Sequence, residues 1–230
     1  MEVQKENVFH EILEFGIMVV WMGIAFGIFF AGGINAFKDA VGLRTAILES
    51  LVVVFFAFVF HELAHRIAAR RYGFQAVFHV WIPGLIMALC AALLGFLFAA
   101  PGGVQIQIGQ DTAENRAKLG KSALAGPIAN IMLSVMFAVF TIVFLVFMQS
   151  YKLSTGKAVS ELESWVNTVG NIGVMGMEIN SLLAVFNLIP WGFFDGAKVF
   201  QWNKKVWIIA FIGSIVLYAL TYFVQIALLG

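Results

Sequence analysis

Ten consecutive apolar residues, Leu51 to Phe60, run directly into His61-Glu62-Leu63-Ala64-His65. A segment this apolar folds in lipid only as a helix, because every backbone N–H and C=O must then find its partner inside the segment. Residues four apart on a helix share a face, so His61 and His65 turn both imidazoles toward one point. A strongly polar side chain near a bilayer centre costs about 2.5–3.5 kcal/mol on insertion scales. Two histidines and a glutamate on one turn therefore need a metal or a polar cavity to compensate them. The spacing is that of HExxH: two imidazoles on one zinc ion, with Glu62 one step round as the base for a metal-bound water.

The composition agrees with a bilayer setting. Of 230 residues, 61% are hydrophobic and only 12% charged, as expected of an integral membrane protein. A net charge of +1 gives no sign of a nucleic-acid partner. The single cysteine, Cys90, excludes an intrachain disulfide. Met1 to Glu14 carries four Glu and one Lys, the wrong sign for a signal-peptide n-region, so no cleaved leader is expected. Polar stretches are too short for a separate soluble domain, and residues 1–230 read as a single integral membrane domain.

Apolar segments run Phe15–Ile34, Ala46–Ala68, Trp81–Ala100, Ser122–Met148, Val169–Phe194 and Val206–Leu229. Six simple spans would put six Lys/Arg on one side and eight on the other, with no bias. Trp81–Ala100, however, is bracketed by Pro83-Gly84 and Pro101-Gly102-Gly103 and interrupted by Gly95. If it dips in and returns, one face carries Lys5, Arg66, Arg70, Arg71, Arg116, Lys118, Lys121, Lys198, Lys204 and Lys205. The other keeps Lys38, Arg44, Lys152 and Lys157. That asymmetry is the one cytoplasmic loops show, and it puts the N-terminus in the cytoplasm. The expected fold is thus an all-α polytopic membrane protein of five transmembrane helices plus one re-entrant segment. Phe74–Trp81 and Val104–Ile108 alternate like short strands. Gly23 and Gly27, and Gly170, Gly173 and Gly176, read as small faces for close helix packing.

A catalytic zinc commonly takes three protein ligands and keeps a fourth position open. His10, in a Glu-rich segment, reads as a solvated surface residue, and His79 is a weak candidate. Few carboxylates interrupt the apolar segments: Glu49, Glu62, Glu178 and Asp195. Glu49 reads as an interfacial residue near a helix start, favoured by the helix dipole. Glu178 reads as a packed mid-span carboxyl, with a polar cavity lining as the alternative. Asp195 closes Asn187-Leu188-Ile189-Pro190-Trp191-Gly192-Phe193-Phe194-Asp195-Gly196, where Pro and Gly end a long apolar helix. Non-helical backbone at membrane depth is tolerated only beside protein or a cavity. With five spans, Asp195 comes to the same side as His61 and His65; with six it lies opposite.

HExxH in a span, then Ala125-Gly126-Pro127-Ile128-Ala129-Asn130 opening a later span, then Asn-x-x-Pro-x-x-x-x-Asp-Gly at 187–196, resembles the site-2 protease family of intramembrane zinc metalloproteases (peptidase family M50). The resemblance runs from about Ala46 to Trp207, which delimits the expected catalytic core, and it is greatest to archaeal members. It implies that His61, His65 and Asp195 hold zinc and that Glu62 is the general base. Asn187 would then be a polar residue near the metal, facing substrate backbone or the oxyanion. It gives Asn130, Gly126, Pro127, Pro190 and Gly196 structural roles around the cavity. It further implies a multi-pass enzyme of the cell membrane that cleaves transmembrane segments of other proteins, as in regulated intramembrane proteolysis. Many bacterial relatives insert a PDZ domain between the first two motifs; the stretch from His65 to Ser122 leaves no room for one. Ala64 stands where Gly is common, and Trp81–Ala100 replaces a shorter, more polar region of many relatives.

Two rival readings carry different signatures. A membrane transporter would spread polar residues along several spans, whereas here they cluster at one helix end and one helix break. A non-proteolytic zinc protein with a closed structural site would want four protein ligands, and three are evident.

Overall fold

The computed structural model describes residues 8–155 and 164–229; Lys5 and Lys157 of the charge count lie outside them. Helix α1 (Val8–Phe30) leads through a 3-10 turn (Gly33–Lys38) into α2 (Ala40–Arg71). Strand β1 (Gln75–Val80), helix α3 (Ile82–Leu93) and strand β2 (Gly102–Gln107) follow. The chain continues with α4 (Ala113–Thr155), α5 (Ser164–Asn187), the short α6 (Asp195–Trp202) and α7 (Lys204–Leu229). Among the described residues, α1, α2, α4, α5 and α7 are long and apolar enough to cross a membrane. The protein is an all-α polytopic membrane protein with one small hairpin.

The segment expected to dip and return is closed off as a loop. β1 and β2 pair antiparallel from Gln75↔Gln107 to Val80↔Gly102, so residues 81–101 leave one point and come back to it. The Trp81 amide donates to the Pro101 carbonyl at 2.8 Å and closes the neck. Inside the loop, α3 has 12 residues, about 18 Å at 1.5 Å per residue, against a hydrocarbon core of about 30 Å. Trp21 of α1 donates its indole N–H to the Leu85 carbonyl at 2.7 Å, which fastens α3 against the first span.

Local chemistry fixes the helix that carries HExxH at both ends. Asp39 caps α2 by accepting from the amides of Val41 and Gly42. At the other end Gly73 takes φ +81° and donates to the Arg70 carbonyl, while Phe74 donates to the Ala69 carbonyl. This left-handed close needs glycine, and it turns the chain out of α2 straight into β1. At 32 residues, α2 is about 48 Å long, more than the membrane needs.

Neighbouring spans are antiparallel: His61 and His65 of α2 meet Asn130 and Ser122 of α4, and Ser134 and Asn130 of α4 meet Met177 and Asn180 of α5. A Cβ on Gly23 or Gly27 would collide with Leu51 or Ile47 of α2, as the small α1 face predicts. Gly173 and Gly176 of α5 likewise abut Thr141 and Phe137, whereas Gly170 touches nothing. The outward residues of α4, among them Met132, Met136, Val139, Val143 and Phe147, are more than half exposed and form a lipid-facing stripe.

Two expectations need correction. α1 starts at Val8 rather than Phe15, because Glu11 and Glu14 are held by the hairpin: they accept from the amides of Phe78 and Val80, both at 3.0 Å. Glu11 also pairs with Arg66 at 2.7 Å. Glu49 lies well inside α2, buried and bonded to Asn171, too far from the helix start for the dipole to account for it. Glu178 lines a cavity of about 520 Å³ together with Asp39, Glu49 and Asn171, the alternative of its two readings.

Candidate active site

His61, His65 and Asp195 converge. His65 Nε2 lies 3.0 Å from His61 Nε2 and 2.8 Å from Asp195 Oδ2, and His61 Nε2 lies 3.5 Å from the same oxygen. All three residues are buried and form one group of donors able to hold a metal ion. Ligand atoms about 2.0–2.1 Å from a tetrahedral zinc stand about 3.4 Å apart, and the observed separations span that value. The donor set is two imidazoles and one carboxylate, which suits zinc and leaves a fourth position open.

The rings are aimed by the far sides of their imidazoles. His65 Nδ1 donates to the Ser122 carbonyl at 2.8 Å, and His61 Nδ1 meets the side-chain oxygen of Asn130. Both Nδ1 atoms therefore carry the proton, and both Nε2 lone pairs face the centre. Pro127, inside α4, leaves the Ala123 carbonyl, next to Ser122, without its helical amide donor. Gly126 faces the pair directly: a Cβ there would lie 2.7 Å from His61 Nε2 and closer still to His65 Nε2. Any larger residue would fill the space the metal needs.

Asp195 arrives from a different element. α5 stops at Asn187, Pro190 and Gly192 (φ +61°) carry the chain around, and Asp195 opens α6. Trp207 of α7 donates its indole N–H to the Leu188 carbonyl at 2.8 Å and pins this turn. Gly196 passes against the Leu188 carbonyl with no space for a side chain. Lys198, one turn on, contacts Asp195 Oδ1 at 3.1 Å and leaves Oδ2 to the histidines.

Glu62 is buried beside the histidines, and its Oε2 accepts from the Val104 amide of β2 at 2.8 Å. Asn187 donates to the Leu183 carbonyl at 3.0 Å, back onto its own helix. A cavity of about 660 Å³ opens over the site, lined by His61, Glu62, His65, Asn187, Asp195 and residues 102–106 of β2. His79 also lines it but sits by Glu14, 3.6 Å away, and does not join the donor group. His10, exposed, lies by Glu14 as well.

The match to known proteins follows the same residues. The model of peptidase family M50 covers residues 49–207, from within α2 to the start of α7. The chain belongs to peptidase family M50. A relative from Methanocaldococcus jannaschii, named "Putative zinc metalloprotease MJ0611", is 38% identical over 161 residues, 70% of this chain and 73% of that one. No solved structure matches the chain. As an M50 member this protein is a zinc-dependent metalloprotease of the membrane, of the site-2 protease kind.

Sequence reasoning missed Val104, Lys198, Ser122 and Asn180. Three of them act through a backbone group or a surface-type charge, for which no motif signal exists. Asn180, a buried amide in a span, was the one with a readable sign.

Proposed function

We propose that this M50 protein hydrolyses peptide bonds inside transmembrane segments of other proteins, with His61, His65 and Asp195 as zinc ligands and Glu62 as general base. The observation that carries this is the donor group of His61, His65 and Asp195, on a membrane-length helix and at the break after another, beneath a polar cavity. Zinc, when bound there, supplies a Lewis acid that brings the pKa of its water to about 7 and polarises the scissile carbonyl. Glu62 takes the proton from the attacking water on Oε1, since Oε2 is held by Val104. It then delivers that proton to the leaving amine. The second amide hydrogen of Asn187 serves the developing oxyanion.

A helical substrate hides its carbonyls in hydrogen bonds, so the scissile stretch must unwind before it is cut. The two hairpin edges differ in their capacity to receive it. Phe78 and Val104 pair across the hairpin, yet both amides are spent on carboxylates, so this is a pair without ladder bonds. β1 has its outer amides at Phe78 and Val80 taken by Glu11 and Glu14 of α1. On β2 the outer amide of Val104 is taken as well, by Glu62, but Gly102 and Ile106 of this strand line the cavity over the site. An unwound substrate strand therefore adds to β2.

Placing α2's Arg70 and Arg71, the start of α4 and Lys204 on one side, by the positive-inside rule, makes that side cytoplasmic. The substrate is a single-span protein of the cell membrane, cut near its cytoplasmic end. The test is Glu62→Gln. It should bind zinc near-stoichiometrically and fail to cleave a single-span membrane protein that the wild type cuts and a chelator protects. Loss of zinc in that variant would make Glu62 a ligand and refute the assignment.

A further inference from the structure

Resting on the reading that His61, His65 and Asp195 hold zinc, we propose that Asn130, locked by Asn180, sets the tautomer of His61 and thereby its strength as a ligand. Sequence reasoning gives Asn130 only a part in shaping the cavity, and nothing in it singles out Asn180.

Backbone carbonyls can only accept. Asn130 is fully buried and faces the Ala57 carbonyl at 3.0 Å, so the group pointing there must be its NH2. The second hydrogen of that NH2 goes to the side-chain oxygen of Asn180 at 2.9 Å. The orientation of Asn180 is fixed in turn, because its own NH2 donates to the Gly176 carbonyl at 2.8 Å. Asn130 thus has one group left, Oδ1, and it faces His61 Nδ1. An oxygen with no hydrogen demands a donor. The His61 proton is held on Nδ1, and Nε2 keeps its lone pair for the metal. Two carbonyls on α2 and α5 dictate the result through two amides.

His65 reaches the same state without a side chain, by donating to the Ser122 carbonyl. Within the pair, His61 alone depends on a replaceable side chain. The two asparagines are also expensive: each is buried at 0% exposure at membrane depth, where apolar side chains would pack more cheaply. Partners of this kind behind a metal-bound imidazole typically change metal affinity by about 10–100-fold when removed.

The test uses the full chain purified in detergent and stripped of metal. Zinc affinity is measured against a competing chelator, and cobalt is added to read the ligand field from its visible bands. Asn130→Leu, similar in volume, is expected to lose about 10–100-fold in zinc affinity and to weaken or shift the cobalt bands. Asn130→Asp keeps an acceptor toward Nδ1 and is expected to bind zinc nearly as wild type does. A role in packing alone gives the reverse order, with leucine harmless and a buried aspartate disruptive; that order, or equal affinities, overturns the proposal. Asn180→Leu leaves the neighbours of His61 unchanged, and it decides the question if Asn130→Asp does not fold. A partial loss of zinc affinity supports the relay, and wild-type affinity overturns it. His61→Ala separates this from the ligand reading. If it binds zinc as wild type does, the ligand set is wrong; if it loses zinc while Asn130→Leu keeps it, only the role of Asn130 falls.

Discussion

Two cavities holding polar groups lie along α2, one near each end, and they meet the cost of polarity in lipid in different ways. The cavity of about 660 Å³ gathers His61, His65 and Asp195 until their ligand atoms lie within 4.8 Å of one another. The cavity of about 520 Å³ has three carboxylates, Asp39, Glu49 and Glu178, yet they do not gather: Asp39 caps α2 and Glu49 bonds Asn171. Glu49, buried within α2, is thus accommodated by a hydrogen bond from Asn171 and not by converging ligands. What marks a reactive centre is convergence of unlike donors, each held from behind by a second group.

If that contrast is right, perturbing the two cavities must give effects of very different size. Asp195→Ala should be the most damaging change, because two imidazoles alone hold zinc poorly. We expect zinc lost on dialysis and no detectable proteolysis; full zinc and full activity would refute Asp195 as the third ligand. Val104→Pro is smaller. It removes the amide that holds Glu62, while the hairpin loses no ladder bond, since that amide points away from β1. Losing a hydrogen bond to a charged group costs about 1.5–3 kcal/mol, so kcat should fall about tenfold or more with zinc content unchanged. An unchanged kcat would show that Val104 does not position the base. Glu178→Gln should be the mildest, leaving zinc content and cleavage near wild type. A loss of activity there would erase the distinction between the cavities.

Much of this organisation was legible in the residues. HExxH, the Pro and Gly break before Asp195 and the breakers around Trp81–Ala100 each state a local rule that tertiary structure did not override. The charge asymmetry and the ligand geometry also pointed to one topology, and the pairing of Val80 with Gly102 agrees with it. What stayed hidden depends on facing rather than spacing. Glu11 and Glu14 fell outside the apolar segment that begins at Phe15, because hydropathy cannot register that two hairpin amides and Arg66 await them. Val104 was invisible as a donor, since any residue except proline carries the same amide. Asn180 acquires meaning only once α5 is known to set it opposite Asn130. Glu49 was misread, and Glu178 stood between two readings, because a second cavity has no sequence motif.

The topology can be broken separately. On a Cys90→Ala background, single cysteines at positions 71 and 115 should label from the same side with an impermeant thiol reagent. Labelling from opposite sides would mean that Trp81–Ala100 crosses the bilayer and that Asp195 needs another route to the histidines.

The most direct measurement is the position of the cut. A single-span membrane protein cleaved by the purified enzyme in the presence of zinc would be mapped by mass spectrometry of both fragments. The account predicts a scissile bond inside the apolar segment, toward its cytoplasmic end, and no cleavage with Glu62→Gln. A cut confined to the polar flanks, or one that persists in Glu62→Gln, would contradict it.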